Sequence, residues 1–469
     1  MKARLRERFR KTKPLRDIEC AVVRDALDHK DAFAPGILDG LRYGTTLARI
    51  DTVDTAHGKV HFGGPLDTFR IRLIDSLSPH VLTNPGRIDR RAVNAIAPDL
   101  IALTRRVRKQ LLDRGQISAE ALDREVGTRR LVFVLGGGGG TGFVFLGTFR
   151  LFEELGVTPS LIVGTSMGSV LGLFRARDER FRHDEIVDVA SSVKWREVFR
   201  LFDMENRYGL PATLRLYLRR GIAHYFARSD GATLRLEDLA IPLRVVVTGL
   251  EKKALRHDIR YYEHLLDTPT GISGLAIRRR IKDIMTVVSE FLTTGDGLRE
   301  IVLGNDPLTR AFDSVDAVGF SSAVPGVIHY DVIRDDPRMH ALLRDLFERE
   351  HIYRLIDGGV TDNVPARVAW DLVERGELGS RNALIAAFDS FAPQLSRHVL
   401  FAPVQRLVRK NVESSRPYAD TYHAFQRTLS PIELVPSATR VSRAARAGYA
   451  ELQDEAAFYR EMLRTIPPP

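Results

Sequence analysis

The chain has 469 residues, 44% hydrophobic and 28% charged, which excludes collagen-like, mucin-like and wholly disordered classes. That length suits about three average domains or one large α/β domain with insertions. The single cysteine, Cys20, excludes an internal disulfide, a cysteine-based zinc site and an iron–sulfur cluster, and it fits a reducing, cytoplasmic compartment. The net charge of +10, from 70 basic and 60 acidic residues, suits an anionic partner such as phospholipid or nucleic acid, or reflects an arginine-rich coding bias alone.

The first sixteen residues carry eight basic ones with no apolar core behind them, so they read as a solvated arm and not as a secretory signal. Residues 1–128 read as an extension of unknown role. Within 42–72, TTLARIDTV, KVHFGG and TFRIRLI read as strand-like stretches between glycine-rich breaks. Ile96, Leu100, Leu103, Val107 and Leu111 then recur at spacings of 4, 3, 4 and 4, one face of a helix, with Pro98 in its first turn.

The core begins at Arg130. LVFVL (131–135) reads as a strand buried on both faces. A glycine run follows, then a helix with Phe145, Phe149 and Phe152 on one side and Gly156 as its C-terminal cap. SLIVGTS (160–166) is the next buried strand, and SVLGLFRARDER the next helix. Strand, helix, strand, helix is the signature of a parallel sheet. Stretches 131–149 and 155–174 are as long as a bilayer span, but the first has seven glycines and the second Gly, Pro, Ser and Thr throughout, so no transmembrane helix is expected.

Residues 179–239 read as helical, basic and irregular. IPLRVVVTGL (241–250) is a further strand. Residues 264–312 read as an insertion, with Ile277, Ile281, Ile284, Val288 and Phe291 as a helical stripe beside Arg278, Arg279, Arg280 and Lys282. That helix packs on the domain or docks a basic amphipathic surface on a membrane. The core resumes at DAVGFSSAVPGVI (316–328), YRLIDGGVTDNVPA (353–366), the helix ARVAWDLVERG and the strand NALIAAFD (382–389). Residues 393–469 read as a helical tail, its final helix near 450–463.

Three motifs carry chemistry. Gly164-Thr165-Ser166-Met167-Gly168 joins a buried strand to a helix, a sharp turn that exposes a serine as a nucleophile; a plain capping serine is the alternative. Gly137-Gly138-Gly139-Gly140-Thr141-Gly142 also satisfies a dinucleotide-binding pattern, but the next strand ends without the acidic residue a ribose needs. No Gly-Lys-Ser/Thr follows to make a phosphate loop. What is left is a cradle of backbone N–H groups, which in acyl transfer is an oxyanion hole worth ~3 kcal/mol per donor. The third motif, Asp357-Gly358-Gly359, places a carboxylate at a strand end, or is an ordinary turn.

In this order the three motifs resemble the patatin-like phospholipase family over roughly residues 129–392, the hydrolase domain proper. The segments IPLRVVVTGL and SSAVPGVI (321–328) are weaker echoes. The resemblance implies a three-layer α/β/α fold with a mainly parallel sheet, and a lipid acyl hydrolase with no cofactor and no metal. It implies a serine–aspartate dyad in which Ser166 attacks the ester and Asp357 takes its proton. The loop Gly137, Gly138, Gly139 and Gly140 would hold the oxyanion, with Gly142, Gly164, Gly168, Gly358 and Gly359 supporting the motifs. A carboxylate of pKa ~3.9 is a weak base at neutral pH, so desolvation has to raise it or the oxyanion hole has to carry the reaction. Thr141 stands where the family usually has Arg or Lys.

Two other readings remain: an α/β-hydrolase triad using His398 or His423, and a non-catalytic membrane scaffold. The expected partner is a lipid acyl ester, not nucleic acid. The net charge and the basic stretches 215–220 and 278–282 place phospholipid ahead of neutral lipid and leave peripheral contact with an anionic membrane open.

Overall fold

The computed structural model describes residues 2–55, 58–83, 86–201, 207–254, 261, 297–332, 334–391 and 402–469. Two strands pair as a hairpin near the N-terminus, β1 (Thr52–Thr55) and β2 (Gly58–His61). The central seven-stranded sheet is built from β3 (Arg130–Leu135), β4 (Leu161–Thr165), β7 (Leu243–Leu250), β8 (Leu298–Leu303), β10 (Arg354–Asp357), β11 (Ala383–Asp389) and β12 (Thr421–Ala424). A three-stranded sheet beside it holds β5 (Phe199–Leu201), β6 (Ala212–Leu216) and β9 (Gly326–His329).

The run β12–β11–β3–β4–β7 is parallel, and β8 and β10 are antiparallel to β7. Alternate side chains of β3 point to opposite faces. Leu131, Phe133 and Leu135 join one core with the helices Phe145–Glu154, Ser314–Ser321 and Ala438–Gln453; Val132 and Val134 join the other with the helix Ala366–Arg375. Two such cores make the three-layer α/β/α fold expected from the sequence. Among the described residues no helix is long and apolar enough to cross a membrane.

One consequence of register fixes the site. β8 overlaps both β4 and β10 along β7, so β4 and β10 must share the other edge of β7. Thr165 pairs with Val246, and Asp357 with Val247. The two strands approach from opposite directions and end at neighbouring rungs.

Several sequence expectations need correction. TTLAR lies in the helix Ile37–Arg49, where the Thr45 hydroxyl is satisfied by the Leu41 carbonyl at 2.9 Å. TFRIRLI lies in the helix Pro65–Val81, because Phe69, Leu73 and Leu77 form a buried stripe four residues apart. Pro98 sits inside the helix Arg90–Asp113, which starts a full two turns earlier at Asp89, whose carboxylate caps the Ala92 N–H at 3.0 Å. Residues 179–239 contain β5 and β6 as well as helices.

Within 264–312, β8 belongs to the central sheet, while the stripe from Ile277 to Phe291 lies outside the described residues. The tail is not purely helical: it supplies β12 to the sheet edge and then two helices, Ala438–Gln453 and Ala456–Leu463. Residues 2–127 form mainly helices with a hydrophobic core of their own.

Candidate active site

β4 ends at Thr165, and the helix Met167–Ala176 starts one residue after Ser166. Ser166 is left at φ 51°, ψ −129°, a backbone conformation costly for a residue with a Cβ. Neighbours hold it there. Its N–H donates to Ser321 Oγ at 2.8 Å, and Ser321 donates in turn to the Val246 carbonyl at 2.6 Å. Its carbonyl accepts from Ser169 Oγ at 2.6 Å. Gly164 and Gly168 are required by close approach: a Cβ on Gly168 would overlap the Leu135 carbonyl, and one on Gly164 would lie 2.7 Å from Ser169 Cα.

Asp357 closes β10. Its N–H donates to the Ala323 carbonyl at 2.8 Å, and its Oδ1 accepts the Gly359 N–H at 2.7 Å. Gly358 lets the chain turn against the Val246 carbonyl, where no Cβ would fit. Among the described residues Asp357 Oδ2 meets no hydrogen-bond donor. Burial pushes the Asp357 pKa up to about 6, while the nearby Ser166 hydroxyl and the Gly359 N–H pull it back. Ser166 and Asp357 are 8% and 7% exposed, so both are reached only through the cavity they share.

That cavity has a volume of about 420 Å³. Gly138, Gly139, Ser166, Asp357 and Asn363 form its polar end. Most of the remaining wall is apolar, including Phe143, Phe174, Leu216 and Ile222. Pockets of roughly 300–1,000 Å³ with an apolar wall and a few converging polar groups are ordinary small-ligand sites.

The glycine loop follows β3. The N–H of Gly137 donates to the Asn363 carbonyl at 3.1 Å, and that of Gly140 to the Pro431 carbonyl at 3.1 Å. These two N–H groups are therefore engaged by backbone carbonyls. The N–H groups of Gly138 and Gly139 meet no acceptor among the described residues. Gly139 has φ 58° and lies against the Pro431 carbonyl. Gly142 packs beneath Met167, where a Cβ would lie 2.7 Å from its Cγ.

No histidine among the described residues lines this cavity. His423 sits on β12 with its Nε2 3.7 Å from Glu451, and His398 lies outside the described residues. The described residues contain no group of three or more His, Cys, Asp or Glu side chains placed to hold a metal. Sequence reasoning missed Ser321, which fixes the Ser166 backbone across 155 positions, and the tail residues 431–435, of which Pro431, Ile432, Leu434 and Val435 wall the cavity. Ser321 lies at the start of SSAVPGVI, but the bond it accepts from the Ser166 N–H leaves no local trace.

A three-layer α/β/α fold with a serine turn, a glycine loop and a carboxylate at one cavity defines a hydrolase-like architecture. The chain belongs to the patatin-like phospholipase family, whose model matches residues 133–370. It is also similar to lysophospholipase nte1 of Aspergillus fumigatus, 42% identical over 57 residues, which are 12% of this chain and 4% of that protein. Lysophospholipase nte1 of Aspergillus niger is 34% identical over 98 residues, 20% of this chain and 6% of that one. The chain thus spans a small fraction of the length of these relatives.

Proposed function

We propose that the protein is a serine lipid acyl hydrolase working through a Ser166–Asp357 dyad. The observation that carries this reading is the register of β4 and β10 on β7, which ends both strands at adjacent rungs and opens Ser166 and Asp357 into one apolar cavity. Asp357 takes the hydroxyl proton as Ser166 Oγ attacks the ester carbonyl. The developing oxyanion is met by the Gly138 and Gly139 N–H groups. The leaving alcohol takes the proton back from Asp357, and water, activated by the same carboxylate, releases the acyl group. A carboxylate with a pKa of about 6 suits this task better than an ordinary one, since it is ionised at neutral pH yet holds a proton more strongly.

The apolar wall suits an acyl chain. The names of the relatives point to lysophospholipid, and the net charge of +10 favours substrates at an anionic membrane surface, reached peripherally. The test is a lipid panel assayed with wild type, Ser166→Ala and Asp357→Asn. Acyl release from lysophospholipid or phospholipid is expected, with kcat lowered about 10³-fold or more in either variant. Full turnover by Ser166→Ala would rule the dyad out.

A further inference from the structure

Gly138 and Gly139 line the cavity, their N–H groups meet no acceptor among the described residues, and each belongs to a peptide whose carbonyl is held from behind. The Gly137 carbonyl accepts from Asn363 Nδ2 at 3.3 Å. The Gly138 carbonyl accepts from Thr141 Oγ1 at 2.9 Å and from the Thr141 N–H at 3.3 Å. In a trans peptide the C=O and N–H point in opposite directions, so a hold on one aims the other.

Thr141 is fully buried, and its Oγ1 lies 3.0 Å from Ser390 Oγ, itself fully buried. A hydroxyl has one proton to donate. The Gly138 carbonyl only accepts, so the Thr141 proton goes there and Ser390 donates to Thr141. The chain Ser390 O–H to Thr141 O–H to Gly138 C=O therefore has a single polarity. Nothing else among the described side chains reaches that carbonyl.

From this geometry we infer that Thr141 is a positioning residue of the oxyanion hole. Its hydroxyl, oriented by Ser390, fixes the Gly138–Gly139 peptide so that the Gly139 N–H faces the oxygen developing above Ser166. A short buried hydroxyl thereby does locally, through one backbone carbonyl, what this loop needs in the absence of a long basic side chain. The inference rests on the hydrolase reading above.

The experiment is steady-state hydrolysis of a soluble p-nitrophenyl ester and of lysophosphatidylcholine by wild type, Thr141→Ala, Thr141→Ser and Ser390→Ala, with thermal unfolding of each and Ser166→Ala as control. Deleting an oxyanion donor costs about 10²- to 10³-fold, so loosening one by Thr141→Ala is expected to lower kcat about 10- to 100-fold with KM within about twofold. Thr141→Ser, which keeps the hydroxyl, is expected to recover kcat to within about threefold of wild type, and Ser390→Ala to show a smaller loss, also in kcat. A merely structural role would not give rescue by serine with a loss confined to kcat. The inference is overturned by wild-type kcat in Thr141→Ala, by a loss confined to KM, or by a serine variant as slow as the alanine one. If Thr141→Ala does not fold, the remaining pair decides: Ser390→Ala at wild-type kcat overturns it, and a lowered kcat beside an active Thr141→Ser supports it. If Ser166→Ala keeps turnover, the hydrolase reading fails and this inference falls with it.

Discussion

Asp357 sits where burial works against its own charge. One oxygen accepts the Gly359 N–H and the other meets no donor among the described residues, so desolvation dominates and the pKa rises to about 6. Unfolded, the same group titrates near 3.9. Between these values the folded protein binds more protons than the unfolded chain, so stability falls as pH rises through this window. The favourable contribution is complete below about 3.9 and gone above about 6. A difference of two units corresponds to about 3 kcal/mol. Asp357→Asn keeps an acceptor for the Gly359 N–H and removes the buried charge. It is therefore expected to raise the unfolding temperature at pH 8 and to leave it nearly unchanged at pH 4, as measured by thermal scans at both. In the proposed dyad turnover follows the opposite trend, because only the carboxylate form could accept the serine proton: kcat/KM of the wild type is expected to fall with decreasing pH through about 6. A pH–rate profile flat from 5 to 8 would contradict that assignment.

At the scale of elements, the tail braces the glycine loop, with the Gly140 N–H donating to the Pro431 carbonyl. The helices Phe145–Glu154 and Ala438–Gln453 cross at two glycines: a Cβ on Gly448 would overlap the Val144 carbonyl, and one on Gly147 the Ala445 carbonyl. Both obstacles are backbone, so neither yields by a rotamer change. Gly448→Ala is expected to destabilise by about 1–3 kcal/mol through overpacking, read as a lower denaturation midpoint with an unchanged slope. This crossing also shows where sequence reading stops. LVFVL and SLIVG were legible because a strand buried on both faces leaves an unbroken apolar run, and the serine turn and glycine loop because their requirements fall on neighbouring residues. TFRIRLI misled because Phe69 and Ile71 mimic alternation, while the deciding spacing runs on to Leu73 and Leu77. β12 is four residues long and half polar, and it pairs only on one side, so TYHA carries no local mark of a strand. The bonds from the Gly140 N–H to the Pro431 carbonyl and from the Ser166 N–H to Ser321 Oγ join residues hundreds of positions apart in the one case and 155 in the other, and no periodicity records them.

At the scale of the molecule, the N-terminal helices are tied to the sheet by buried charge. Glu19, on the helix Lys2–Asp28, receives Arg129 at 2.7 Å, Arg49 at 3.1 Å and Arg42 at 3.5 Å. The same helix sends Arg16 to Asp420 at 2.6 Å, and Asp420 also accepts the Ile385 N–H of β11 at 2.7 Å. Phe9 packs edge-on to Trp370 at 5.4 Å, and near the other end of the chain Ile466 joins the N-terminal core while its N–H donates to the Gly127 carbonyl at 3.0 Å. The three guanidiniums hold the Glu19 pKa below the ordinary carboxylate value against strong desolvation. Its contribution is therefore present above about pH 4.3 and lost as pH falls below that. Glu19→Gln leaves the buried Arg42 and Arg129 and the half-buried Arg49 around a neutral amide, and breaking a buried ion pair from one side costs about 3–5 kcal/mol. Because the contacts of this helix reach β11, β12 and Trp370 together, the loss is expected to lower one shared transition: far-ultraviolet circular dichroism and tryptophan fluorescence move down together. Two separated transitions in the variant would instead mean that the N-terminal helices and the sheet hold independently, and that the buried charges join two units already stable apart.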